Sequence, residues 1–357
     1  MSTEAVSPRY EGLDTWPTAD VVAAVIEGQL SAVAAVAAAR EALAAAAEAA
    51  VGRLDGSAGR IVYVGAGASG RLGVQDGVEL APTYGWPSER LVYLLAGGDA
   101  ALIRSVEGAE DDGAGAAARI ELLALGQDDV VLAVAASGRT PWAVEAAEAA
   151  RGRGALVIGL ASNPGSPLLA ASDHGIALAT GPEVVAGSTR MAAGTAQKAA
   201  LNVLSTAIMV RLGRVHGNLM ADLGSSNAKL DRRRVDILRR IVPADEASAR
   251  AALLRAEGWI KLAALLLRGH EPGPARGLLA RHGGRLRPVL EADGSAGLDS
   301  GAAGGDRPHL AVPTAADAAA ARDGKDAAPR ADEGAALRGV DEPAPRADGD
   351  AARGADG

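Results

Sequence analysis

Five short aliphatic runs, at residues 60–64, 91–96, 129–135, 155–160 and 175–178, alternate with longer stretches of helix-forming residues. Gly-, Ser- or Pro-containing loops follow most of them. This rhythm is the strongest constraint on the fold. Parallel neighbours need a crossover, usually a helix, so strand–helix alternation builds a largely parallel sheet covered on both faces. The expected class is α/β, a three-layer sandwich of helices around that sheet. Apolar residues at helical spacing predict a helix over 19–54, and a second long helix is predicted over 190–212. Residues 230–290 read as a small all-helical unit, with breaks at Pro243 and Pro272-Gly273-Pro274.

With 4 Trp, 4 Tyr and no Phe, the core must be built from Ala, Leu, Val and Ile. So few aromatics argue against a stacking platform for single-stranded nucleic acid. The net charge of −8 argues against a phosphate-backbone binder, and no nucleic-acid partner is expected. That charge is unevenly placed: residues 291–357 hold 14 acids and 7 bases, leaving a net of −1 for the rest. Large aliphatics almost vanish there, and the phrase Ala-Pro-Arg-Ala-Asp recurs at 328–332 and 344–348. Too little apolar area remains to offset ordering entropy, so a disordered tail is expected. The predicted organisation is an N-terminal segment and helix (1–55), a sheet domain (56–225), a helical domain (226–290) and the tail (291–357). No cysteine excludes disulfides and thiolate chemistry. The start carries no basic segment followed by an apolar run, and the Ala-rich stretch 32–51 is broken by Arg40, Glu41 and Glu48. A soluble cytoplasmic protein without a membrane partner is expected.

Two loops share one design. Gly65-Ala66-Gly67-Ala68-Ser69-Gly70-Arg71 follows the first run, and Ala135-Ala136-Ser137-Gly138-Arg139-Thr140-Pro141 follows the third. Each sets Ser-Gly-Arg between a strand and a helix. A helix start offers unpaired N–H groups and partial positive charge, glycine permits close backbone approach, and a hydroxyl adds a donor. That combination suits phosphate. A third candidate, Gly187-Ser188-Thr189-Arg190, opens the second long helix. Gly65 to Gly70 also fits G-x-G-x-x-G, so a dinucleotide site or a purely structural turn stands beside the phosphate reading. Duplication of the turn favours a compact sugar phosphate. Arg71 and Arg139 are as readily solvated or ion-paired residues as phosphate ligands.

Glu79 lies among apolar neighbours in Gly-Val-Glu-Leu-Ala-Pro-Thr, where burial would raise its pKa. A second acidic group, Val106-Glu107-Gly108-Ala109-Glu110-Asp111-Asp112, follows the second run. Such density commonly marks a solvated helix end, but two glutamates beside a sugar phosphate could act as general acid and base. The five histidines have no metal-ligand spacing, and no metal or other cofactor is expected. Trp142 could line the site or simply pack.

These motifs together resemble the N-acetylmuramic acid 6-phosphate etherases of the sugar isomerase (SIS) domain superfamily. The resemblance is carried by residues 61–83, VEGAED (106–111), AASGRTP (135–141), GPEVVAGSTR (181–190), GTAQK (194–198), GNLM (217–220), NAKL (227–230) and GGRLR (283–287). It covers residues 1–290 and implies an SIS-type fold and a cytoplasmic homodimer without cofactor. The implied reaction is a lyase step in cell-wall amino sugar recycling, opening the D-lactyl ether of N-acetylmuramic acid 6-phosphate. By the family pattern Glu79 is the proton donor and Glu110 its acid/base partner. Phosphate contacts fall on Ser69, Gly70, Ser137, Gly138 and Thr140, with Ser188 and Thr189 nearby. The chain departs from the pattern at Ala68, Val78, Leu80 and Ala81, and Ala192 replaces a family lysine expected to touch the sugar phosphate. Loss of that cation suits an alternative, a non-catalytic sugar-phosphate regulator of the glucokinase regulatory protein type. An aldose–ketose isomerase of the same superfamily is a third reading, against which VEGAED and GTAQK speak.

Overall fold

A computed structural model describes residues 3–224 and 228–295. Asn227 and residues 296–357, nearly all of the expected tail, lie outside the described residues. Two helices, α1 (Thr18–Ala38) and α2 (Arg40–Leu54), lead into β1 (Ile61–Gly65), α3 (Gly67–Val78) and the short α4 (Leu80–Tyr84). Then come β2 (Leu91–Leu95), α5 (Gly113–Leu123), β3 (Val130–Val134), α6 (Pro141–Gly152), β4 (Leu156–Ala161), α7 (Pro167–Ala171), β5 (His174–Ala177) and α8 (Ala192–Arg211). A small hairpin, β6 (Val215–His216) and β7 (Leu219–Met220), precedes five further helices. These are α9 (Ala228–Ile241), α10 (Glu246–Arg255), α11 (Ile260–Leu267), α12 (Pro272–Arg281) and α13 (Leu286–Ser295).

The five main strands form one parallel sheet in the order β2-β1-β3-β4-β5. The central strands are buried along their whole length, which is why each reads as an unbroken apolar run. Period-two alternation divides their side chains between two cores. Ile61, Tyr63, Leu132 and Ile158 meet α2 and α8 on one face, while Val62, Val64, Val131 and Val157 meet α5 and α6 on the other. Ala46, Ala47 and Ala50 on α2, and Ala143, Ala146, Ala147 and Ala150 on α6, bring these helices close without aromatic filler. The fold is the expected α/β sandwich of helices around a parallel sheet, with a C-terminal helical unit that buries a third core around Leu238, Leu262 and Leu279.

Three expectations change. The 19–54 helix is two helices parted at Ala39, because α1 packs on α8 whereas α2 also lies across β4 and β5. The hairpin at Gly217-Asn218 went unread because its strands are two residues each, too short for any period. Regular structure continues past 290, to Ser295. By length and composition α1 could also cross a membrane, a feature hidden when only the 32–51 run is weighed. In the folded chain α1 buries Ala24, Ala32, Ala35 and Val36 and packs against α8.

Candidate active site

From β1 the chain moves outward to β2, and from β3 it moves the opposite way to β4. This reversal opens a crevice beyond the carboxyl ends of β1 and β3, where parallel sheets bind ligands. Gly65 pairs with Val134, so both Ser-Gly-Arg turns leave the sheet at the same level. A Cβ on Gly65 or Gly70 would press into the backbone of the other, so the first turn needs both glycines. No side chain caps α3, leaving its first N–H groups for a ligand. Ser69 is buried and donates to Gln197 Oε1 on α8 at 2.9 Å. Gln197 is itself fully buried and its Nε2 has no partner.

In the second turn Gly138 takes φ +67°, and a Cβ there would overlap Ser166. Ser137 Oγ accepts the Arg139 N–H at 3.1 Å. Thr140 caps α6 by backbone only, so its hydroxyl is not spent on the helix. Asn163 Nδ2 donates to the Ser137 carbonyl at 3.2 Å and to Thr3 Oγ1 at 3.1 Å, while the Thr3 N–H donates back to Asn163 Oδ1 at 3.0 Å. The buried Thr3 is thereby tied to the second turn.

The third turn differs from the other two. The Ala192 and Ala193 N–H groups that open α8 each donate to a Glu183 carboxylate oxygen at 2.9 Å. Glu183 is buried, so the chain's own carboxylate fills the anion position there. Ser188 and Thr189 are half-buried beside it and can offer hydroxyls, but not a vacant helix start. Ala192, in the place of the family lysine, is buried at 3% exposure.

A cavity of about 220 Å³ opens at the first turn, lined by Gly67, Arg71, Ser105, Glu107 and Glu110 among others. Arg71 donates to the carbonyls of Ala101 at 2.7 Å and Arg104 at 3.0 Å. It thus ties the segment leading into the acidic loop to the first turn. Both Glu107 and Glu110 face the cavity, so preference for Glu110 rests on the family pattern. Glu79 does not line it. This glutamate sits at the junction of α3 and α4, and it is exposed, against the expectation of burial among apolar neighbours. The reason is that Leu80 turns inward while Val78, 48% exposed, stands out beside Glu79. Trp142 packs: it is buried and donates Nε1 to the Leu94 carbonyl at 3.1 Å. Among the described residues no group of three His, Cys, Asp or Glu side chains could hold a metal ion.

In the sequence Gln197 and Glu183 stand out only as letters within GTAQK and GPEVVAGSTR. Their roles depend on partners far along the chain, as does that of Asn163, for which no local signal exists.

Residues 41–149 match the glucokinase regulatory protein N-terminal SIS domain, and residues 110–207 match the SIS domain. The N-acetylmuramic acid 6-phosphate etherase of Deinococcus radiodurans is 50% identical over 289 residues, covering 81% of this chain and 94% of that one. The Streptomyces coelicolor etherase is 46% identical over 293 residues, covering 82% and 94%. That of Edwardsiella ictaluri is 41% identical over 292 residues, covering 82% and 97%. Such identity, spanning both Ser-Gly-Arg turns, the acidic loop and the helical unit, makes the chain a member of the N-acetylmuramic acid 6-phosphate etherase family.

Proposed function

We propose that this chain cleaves the D-lactyl ether of N-acetylmuramic acid 6-phosphate, yielding N-acetylglucosamine 6-phosphate and D-lactate. One observation carries the reading: Glu110 faces a cavity built on a Ser-Gly-Arg turn, in a chain 50% identical to a named etherase. The Ser69 and Ser137 turns, with Gly70, Gly138 and Thr140, hold the phosphate; Ser188 and Thr189 stand at the border. In the open-chain sugar the C2 proton is acidified by the neighbouring aldehyde. A base removes it while an acid protonates the ether oxygen at C3, and the C3–O bond breaks to release lactate. Water then adds at C3 of the unsaturated aldehyde and a proton returns to C2, so the net change is hydrolysis. Glu110 is the acid/base at C2, and Glu79 protonates the leaving oxygen.

Glu79 stands twelve residues beyond Gly67, about 18 Å along α3 at ~1.5 Å per residue. A hexose phosphate seated on the first turn of that helix is too short to reach it. A second copy of the chain supplies it instead, and the working unit is a homodimer. An apolar stripe on α1, Val22, Ile26, Leu30 and Val33, each more than half exposed, gives such a dimer a surface to bury. The reaction belongs in the cytoplasm, since a phosphate dianion does not cross a bilayer unaided.

The regulator reading keeps one observation in its favour, the match of residues 41–149 to a glucokinase regulatory protein domain. Purified protein incubated with N-acetylmuramic acid 6-phosphate separates the two. Release of D-lactate is expected, and saturable binding without lactate would replace the etherase by the sensor.

A further inference from the structure

The opposite end of the sheet carries a second cavity, about 380 Å³, between the N-terminal ends of the strands and the helical unit. Arg90 immediately precedes β2, so a five-residue strand, about 16 Å at ~3.3 Å per residue, separates this place from the phosphate turns. Arg90 and Arg214 both lie over the indole of buried Trp86, at 4.1 and 5.5 Å from the ring centroid. Two half-buried guanidinium groups packed on one ring repel each other, and such an arrangement calls for a shared anion.

The protein's own acids answer only one of the two cations, and loosely: Arg214 pairs with Asp222, which is shared with Lys261. Asp222 accepts from Lys261 Nζ at 2.5 Å and Trp259 Nε1 at 3.0 Å, and Arg214 stands 3.6 Å away. Lys261 is fully engaged, its other two bonds going to the carbonyls of Gly213 and Gly284 at 2.8 and 2.9 Å. Asp55, on the same wall, is held by Arg285 at 2.7 Å. Arg90 donates to the carbonyls of Gly59 at 2.7 Å and Leu54 at 3.4 Å, not to a carboxylate. Burial, and then the charge of Arg214, push the Arg90 guanidinium below its ordinary pKa. Arg214 also donates to the Gly85 carbonyl at 3.3 Å, which leaves both forks with spare N–H groups at a cavity of mixed lining, where Leu54, Leu212 and Trp86 add apolar surface beside Ser57, Gly56, Gly283 and Gly284.

We propose that Arg90 and Arg214 form a second ligand site, remote from the etherase centre, for a small organic oxyanion, a phosphate ester or a carboxylate. The guanidinium forks take the oxyanion bidentately, and the indole and leucines take an apolar body. Occupancy joins the N-terminal edge of the sheet to the helical unit, so this ligand stabilises the folded chain by mass action.

The test is residue-specific and uses the full chain. Phenylglyoxal, which modifies accessible guanidinium groups, is applied alone, with inorganic phosphate, and with succinate, and modified peptides are quantified by mass spectrometry. Phosphate or succinate should slow modification of Arg90 and Arg214 together while exposed Arg268 is unaffected. Protection by phosphate alone identifies a phosphate ester as the ligand class, and protection by succinate alone a carboxylate. Protection by neither overturns the site. Folded Arg214→Gln should lose the protection of Arg90, with about tenfold or more weaker phosphate binding at that position and an unchanged KM for the sugar phosphate. Undiminished protection of Arg90 in that variant would also overturn it. Should the variant fail to fold, the wild-type protection pattern decides alone.

Discussion

Glu79 and Glu110 differ in what surrounds them, and that difference shapes their expected behaviour on substitution. Neither is buried, so replacing either by Gln opens no cavity and strands no hydrogen-bond partner in the core. Glu110→Gln and Glu79→Gln should each lower kcat by about 10²–10⁴, the worth of one general acid or base, and leave phosphosugar affinity and thermal stability near wild type. Steady-state lactate release with parallel binding titrations checks this, and full activity in either variant would remove that residue from the chemistry. At this scale the legible part of the site is whatever is local in the chain. Ser69, Gly70, Ser137 and Gly138 could be read because turn chemistry is written in adjacent residues: Gly138 needs its left-handed backbone, and Gly65 and Gly70 need each other's missing side chains. Gln197 behind Ser69, 128 residues away, and Asn163 behind Thr3, 160 residues away, could not be read, since only the folded chain brings them together.

Among the elements, α8 shows how one helix start can look like a ligand site and be a structural joint. Gly187 to Arg190 has the residues of an anion turn, yet Glu183 reaches the same N–H groups first. Glu183→Ala should cost about 1–2 kcal/mol of stability, as the loss of a charged cap does. It should also accelerate hydrogen exchange at Ala192 and Ala193; unchanged exchange there would refute the capping role. The N-terminal edges of β1 and β3 are joined by a second carboxylate. Burial alone would raise the Asp129 carboxyl, but hydrogen bonds from the Arg60 side chain and from the N–H groups of Gly126 and Arg60 outweigh it and hold it below the ordinary range. A depressed carboxyl contributes stability above its unfolded pKa, near 3.9, and loses it as pH falls through the lower folded value. Asp129→Asn should therefore cost about 1–2 kcal/mol at pH 7, since Arg60 is partly exposed, with the gap from wild type narrowing below about pH 4. A gap constant down to pH 2 in thermal melts would contradict this. The strands themselves were the most legible elements, because central parallel strands must be apolar on both faces. The α1–α2 break was not, because no Pro or Gly marks Ala39 and the division comes from packing.

For the whole molecule, the proposed mechanism requires Glu79 and Glu110, which do not share a cavity, to meet one sugar. If two chains share each site, Glu79→Gln and Glu110→Gln proteins mixed and allowed to exchange subunits should recover about a quarter of wild-type activity. Random pairing of a two-fold dimer gives that value, since half the dimers are mixed and each restores one site. No recovery, with exchange verified by mass, would put both glutamates to work within one chain. The fold class was readable from the alternation of strands and helices, and the family from motifs in register. The exposed apolar stripe on α1 was not, because Val22, Ile26, Leu30 and Val33 have the same spacing a buried helix face would have. Elimination across C2–C3 followed by hydration leaves isotopic marks that can be read by running the reaction in deuterated, oxygen-18-enriched water and weighing both products. It predicts one deuterium at C2 and one oxygen-18 at C3 of N-acetylglucosamine 6-phosphate, with D-lactate keeping the original ether oxygen. Oxygen-18 in the lactate hydroxyl, or release without deuterium in the sugar, would contradict it.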